Sequence, residues 1–220
     1  MCRRRNCADI NAVTDSDVLS SVREWVKVHQ ADSLHAEQVA FLSLRLFDDL
    51  AFLHGLGSTE RVQLNCAALL HDIGCAHGRK GHHKASRDLI LRAGELPFDE
   101  RERVMVACVA RYHRKALPND NHKNYERLNR TDRRIVQVLS AILRVADGLD
   151  SSHHGNIEDV HCDVTPARIS VRVRLGSPAD MDFRRAREKG ILLEEVFERR
   201  LVLAVDGIKT PDSGKGPADG

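Results

Sequence analysis

Apolar residues recur at helical spacing through most of the chain and at strand spacing near its end. Between Asp15 and His29, Val18, Val22, Trp25 and Val26 fall on one helical face. A second helical pattern runs from Asp32 to His54, with Val39, Leu42, Leu46 and Leu53 in its stripe and Gly55 as its stop. His35 shares that stripe, one turn before Val39. A third helix is predicted from Ser58 to Ile73, ended by Gly74, and a fourth from His82 to Gly94. Asp99 opens a fifth, because its side chain can cap while Glu102 reaches back; this helix runs to His113. A polar loop with Pro118 follows. The sixth helix spans Thr131 to Leu149, with Ile135, Leu139, Ile142 and Ala146 on one face.

The period changes after Gly155. In "ARISVRVRLG", Ile169, Val171, Val173 and Leu175 alternate with Ser170, Arg172 and Arg174, the pattern of a half-buried strand. "VHCDV", joined to it through Thr165 and Pro166, is its expected hairpin partner. A helical segment from Met181 to Glu198, broken at Gly190, leads to a third expected strand, "RLVLAV". The chain therefore reads as mainly α: a helical bundle over 15–155, then a small α+β extension of about three strands over 156–205. Residues 1–14 and the Gly/Pro-rich 206–220 read as disordered ends.

Composition removes several function classes. The 220 residues carry 34 Lys and Arg against 32 Asp and Glu, a net charge of +2, so no global field favours nucleic acid. No run approaches the ~20 apolar residues of a membrane span. The basic start, "MCRRRNCADI", lacks the apolar stretch of a secretory signal. The 6 cysteines form no C-x-x-C pair and suit buried, reduced thiols, hence a cytoplasmic protein. A homodimer is left open.

Chemistry is concentrated in "AALLHDIGCAHGRKGHHKASRDLI". A lone histidine on an apolar helix face is usually a satisfied core residue. Here His35, His71, Asp72, His82, His83, His113 and Asp147 all fall on apolar faces or at helix ends. His71 and Asp72 are neighbours, so their side chains diverge by about 100° and reach one ion only if the helix end points at it. Imidazole and carboxylate ligands suit Mn, Fe, Co, Ni or Zn rather than Ca. A divalent ion also supplies the counter-charge that buried carboxylates need.

His35, then His71–Asp72, then Asp147, in that order on helices, resembles the H…HD…D signature of the HD superfamily of metal-dependent phosphohydrolases. "SLHAEQVAFLSLRLFDDL", "AALLHDIG", "GHHKASRDLI", "VARYHRKALP" and "LSAILRVADGLDSSH" resemble, more narrowly, the C-terminal domain of the exopolyphosphatase/guanosine pentaphosphate phosphatase family. The resemblance runs from about Leu34 to Leu203 and implies an HD-type helical bundle. Members of that family normally carry an N-terminal actin-like phosphatase domain. Only about thirty residues precede His35, so exopolyphosphatase activity is not expected to transfer. Where the family often has Arg-Ser-His after "DGLD", this chain has Ser151, Ser152 and His153. It keeps every HD ligand.

The resemblance implies one or two divalent ions. His35, His71, Asp72 and Asp147 would hold the first; Asp72, His82 and His113 the second, with His83 replacing or supporting His82. Two ions activate water and neutralise charge on a phosphoryl group. Arg79, Lys80 and Lys84 flank the histidine pair, and Arg111, Arg114 and Lys115 flank His113. Lys84 and Lys115 are the expected phosphate contacts, acting beside Asp72. Arg144, one turn before Asp147, is placed against Asp147 or substrate, and His153 joins the substrate set. The expected activity is phosphomonoester or phosphodiester hydrolysis on a nucleotide or other small phosphate ester. The alternative is a non-catalytic module that binds polyphosphate or an alarmone and works with a separate phosphatase chain.

Overall fold

The structure, a computed structural model, describes residues 14–29, 32–177 and 181–206. Residues 1–13 and 207–220, read above as ends without structure, lie outside the described residues. Helix α1 (Asp15–Val28) opens on a capping box between Thr14 and Asp17. Helix α2 (Ser33–Asp49) stops earlier than its apolar stripe suggests. Leu50 leaves helical geometry at φ −93° and ψ 5°, and a single further turn, α3 (Ala51–His54), runs to the expected Gly55 stop. Leu50 is fully buried, so packing rather than pattern sets the break. Helix α4 (Ser58–Leu70) leads through a short 3-10 turn, Ile73–His77, to α5 (His82–Arg92). Helix α6 (Glu100–Tyr112) carries the expected Asp99–Glu102 capping box, and Asn129 caps α7 (Arg130–Leu149).

Helix α7 is the axis of the molecule. Every residue from Leu139 to Leu149 is buried, and α2, α4 and α6 pack around it. A helix enclosed on all sides needs no polar face. Each of its buried Leu, Ile and Val side chains contributes about 2 kcal/mol. Asp147 is carried into this apolar surround, where a carboxylate must find a partner.

The extension is one sheet in the order β1-β2-β3. Strands β1 (Ile157–Val164) and β2 (Arg168–Leu175) form the expected antiparallel hairpin. Strand β3 (Arg200–Val205) runs parallel to β2, with α8 (Arg184–Phe197) as the crossover. Ile169, Val171 and Val173 are fully buried while Arg168, Arg172 and Arg174 face out, as the alternation predicts. Helix α8 is continuous through Gly190, correcting the expected break; glycine stands there because Leu201 of β3 packs into the space of a Cβ.

This unit is tied to the bundle. Arg45 pairs with Asp159, Gln38 donates to the Ile157 carbonyl, and Asp49 accepts from the Cys162 N–H. Helix α8 lies along α7 at Gly148, where a Cβ would stand 2.5 Å from the Ala186 Cα. Cys66 and Cys108 are buried and free, and burial pushes both thiols up to about 12. No described helix is long and apolar enough to cross a membrane.

Candidate metal centre

One local device recurs at three histidines. His71 and His113 each follow the last turn of a helix, α4 and α6 respectively. Each bonds through Nδ1 to the carbonyl three residues back, Ala68 and Ala110, at 2.7 Å. His82 opens α5 after Gly81, whose φ of 82° suits glycine, and bonds through Nδ1 to the Arg79 carbonyl at 2.9 Å. A carbonyl only accepts, so Nδ1 carries a proton and Nε2 is the nitrogen left to ligate. His35 reaches the same state by donating Nδ1–H to Asp150 Oδ2 at 2.7 Å. Metal-ligating histidines are oriented in this way.

The Nε2 atoms converge on two carboxylates. His35 Nε2 and His71 Nε2 stand 3.6 and 3.9 Å from Asp147 Oδ1. His82 Nε2 and His113 Nε2 stand 3.1 and 3.5 Å from Asp72 Oδ1, and 3.2 Å from each other. Within each of these two groups the ligand atoms lie within 4.8 Å of one another. Asp72 Oδ1 is also 3.7 Å from His71 Nε2, which joins the groups.

These residues fit a divalent transition ion. His35 Nε2, His71 Nε2 and Asp72 Oδ1 are buried without a hydrogen-bond partner, and they are the atoms an ion would take. Tetrahedral bonds of 2.0–2.1 Å set two ligands about 3.3 Å apart, close to the observed His82–His113 spacing.

Protons and a lysine balance the charge in the structure. Burial pulls the His35 imidazole down, but Asp147 and Asp150 outweigh it and hold the group at about 9. Asp72 and Cys75 beside His82 outweigh burial and hold it at about 10. Burial alone dominates at His113, which falls well below the usual histidine range. Burial raises Asp147, yet the Lys189 ammonium, ion-paired with it from α8, and then His35 bring it far below the usual carboxylate range. Burial likewise raises Asp72, and His71, His82 and His113 reverse it.

A cleft of about 300 Å³ opens on the ligands. Its walls include Asp72, His82, His113, Asp147, Ser151 and His153, with Arg79, Arg114, Arg185 and Lys189 as its cations. Arg114 and His153, both expected beside substrate, line this cleft. Lys80, Lys84 and Lys115 are exposed and outside the cleft walls. Lys84 follows two inward-facing histidines, and the next helical position turns outward. Lys115 sits in left-handed backbone at φ 62°. Arg111 is buried against the Tyr112 ring. Arg144 donates to the carbonyls of Lys189 and Tyr112, at 3.0 and 2.9 Å. It fastens α8 to α6, and this corrects its expected pairing with Asp147 or substrate. His83 is buried but belongs to neither group; burial and the neighbouring Arg111 pull it down to about 4.

Sequence reasoning missed Asp150, Ser151, Arg185 and Lys189. Asp150 carried a signal: it is an acid one turn after Asp147 at the end of an apolar helix. Lys189 and Arg185 carried none, because their place depends on α8 folding back over α7.

The family profile of the Ppx/GppA phosphatases, domain III, matches residues 19–185. The chain belongs to this family. No curated protein matches it. The family match spans all six residues of the two ligand groups and stops short of Lys189. Family and geometry together make the chain an HD-type, metal-dependent phosphohydrolase.

Proposed function

We propose that this Ppx/GppA-family site hydrolyses the phosphate ester of a small molecule with two divalent ions drawn from Mn, Fe, Co, Ni and Zn. His35, His71 and Asp147 would hold the first; Asp72, His82 and His113 would hold the second. One observation carries the reading: four histidines have Nδ1 tied to oxygen and Nε2 turned to a carboxylate, either the buried Asp147 or Asp72 at the cleft. A purely phosphate-binding surface has no need of that arrangement.

Bound divalent ions supply Lewis acidity and lower the pKa of water. The chain positions everything else. Arg79, Arg114, Arg185 and Lys189 ring the cleft and stabilise the charge that spreads over the phosphoryl oxygens in the transition state. Lys189 is held for this by Arg144 on its own backbone carbonyl. His153 stacks on His35 with ring centroids 3.7 Å apart, and Asp32 holds its Nδ1 at 3.0 Å. With Nδ1–H committed to Asp32, its Nε2 offers a lone pair in the cleft to take a proton.

The test is elemental analysis of the purified chain together with turnover on phosphomonoesters and phosphodiesters in added Mn²⁺. Bound metal with turnover is expected. Bound metal without turnover on any ester moves the chain to the non-catalytic, polyphosphate- or alarmone-binding alternative.

A further inference from the structure

The cleft does not end at the ligands. Ser151 and Arg185 also form part of the wall of a second cavity, of about 650 Å³, a volume typical of small-molecule sites. The loop between them is anchored. Asp150, which orients His35 through Oδ2, accepts the Gly155 N–H at Oδ1 at 3.0 Å. His153 and Gly155 take left-handed backbone at φ 59° and 61°, which folds this loop into the wall.

The two cavities differ in charge. Four cations ring the ligand cleft. Beyond the shared wall the lining is neutral and hydrogen-bonding, with Ser152, His154, Asn156 and Ser177, on an apolar floor of Leu149 and Met181. Among the described residues its one carboxylate, Asp182, is paired with Arg184 at 2.7 Å. Its one Lys or Arg among the described residues, Arg185, lies at the shared edge. A polyanion needs cations along its whole length. A ligand with one anionic end and one hydroxyl-bearing end needs what is found here. No Phe, Tyr or Trp lines the second cavity among the described residues, so His154 is the one ring it offers a base.

Building on the hydrolase reading, we propose that the second cavity takes the alcohol part of the substrate, a neutral polyhydroxylated group such as the sugar of a sugar phosphate or nucleoside monophosphate. The ester phosphate then lies in the ligand cleft. Polyphosphate chains are excluded as preferred ligands, because beyond Arg185 at the shared edge their outer phosphates would meet no Lys or Arg among the described lining residues.

The experiment compares kcat/KM in Mn²⁺ for ribose 5-phosphate, a nucleoside 5′-monophosphate, phenyl phosphate and tripolyphosphate. The full chain and Ser152→Trp, which fills the cavity, are both measured. At least one ribose-bearing ester is expected to exceed phenyl phosphate by about tenfold or more, with tripolyphosphate poorest, and S152W is expected to erase that preference. The two ribose-bearing arms tell a sugar phosphate from a nucleotide. Equal rates on phenyl phosphate and both ribose esters, or tripolyphosphate as best substrate, overturn the proposal. If no ester turns over, the hydrolase reading fails by itself. Calorimetry with ribose 5-phosphate against tripolyphosphate then decides the cavity alone: tighter ribose phosphate supports it and tighter tripolyphosphate overturns it. Should S152W fail to fold in a thermal melt, the wild-type ratios and calorimetry still decide.

Discussion

The two ligand groups have the same composition, two imidazoles and one carboxylate, but not the same setting. In the His35–His71–Asp147 group all three residues are buried, His35 is backed by the Asp150 carboxylate, and Asp147 is tied to Lys189. In the Asp72–His82–His113 group both imidazoles are backed by neutral carbonyls. All three of its residues line the cleft, and the Asp72 side chain is 18% exposed. A carboxylate makes an imidazole a more basic ligand than a carbonyl does. On the two-ion proposal, the deeper group is the one to retain an ion, and the outer one to meet solvent and substrate.

The comparison breaks first at Asp147. Asp147→Ala leaves Lys189 partly buried without its acid, so the metal-free chain should lose about 3 kcal/mol in urea unfolding. It should also lose the deep ion. An unchanged urea midpoint would show that the ion pair does not matter to the fold. Next is His113→Ala, which touches only the outer group. Elemental analysis should find one ion retained, while kcat falls by about 10² or more. Loss of both ions would merge the two groups into one unit.

Asp150→Ala removes the carboxylate backing from His35 alone. Affinity at the deep site should fall about 10–100-fold by competition with a chelator, with the outer site spared. Equal losses at both sites would erase the difference in depth. The smallest effect is expected at Lys189→Met. Lys189 occupies Asp147 and repels a cation, so its removal should tighten the deep ion by about tenfold while lowering the Tm of the metal-free chain. Weaker metal binding in this variant would make Lys189 a support of the site and not a competitor.

The sequence carried the deep group and the outer group almost whole, because both use helix ends. His113 is the residue at which an apolar helical pattern stops and His82 the one at which a pattern starts, while His71 caps α4 three residues before the Gly74 that was expected to end it. Periodicity marks such places. The hairpin and the third strand were legible for the same reason, since β2 has one buried face over its whole length. The break of α2 at Leu50 was not, because an apolar residue at a hinge looks like one in a helix. Phosphate contacts fared worst. Lys84 and Lys115 are near the ligands in sequence and outside the cleft in space, whereas Lys189 is 42 residues from Asp147 and paired with it. Charge on a side chain does not say which way a loop or a crossover will carry it.

That 42-residue separation has a consequence for how the chain is made. All six ligand residues leave the ribosome before α8 does, and synthesis proceeds at about 5–20 residues per second. For several seconds the bundle can collapse around Asp147 with no ammonium to neutralise it. A divalent ion available in that interval would fill the gap that Lys189 later fills. Metal supply during synthesis would then set the rate at which newborn chains reach the native state, well before it sets the activity of finished ones.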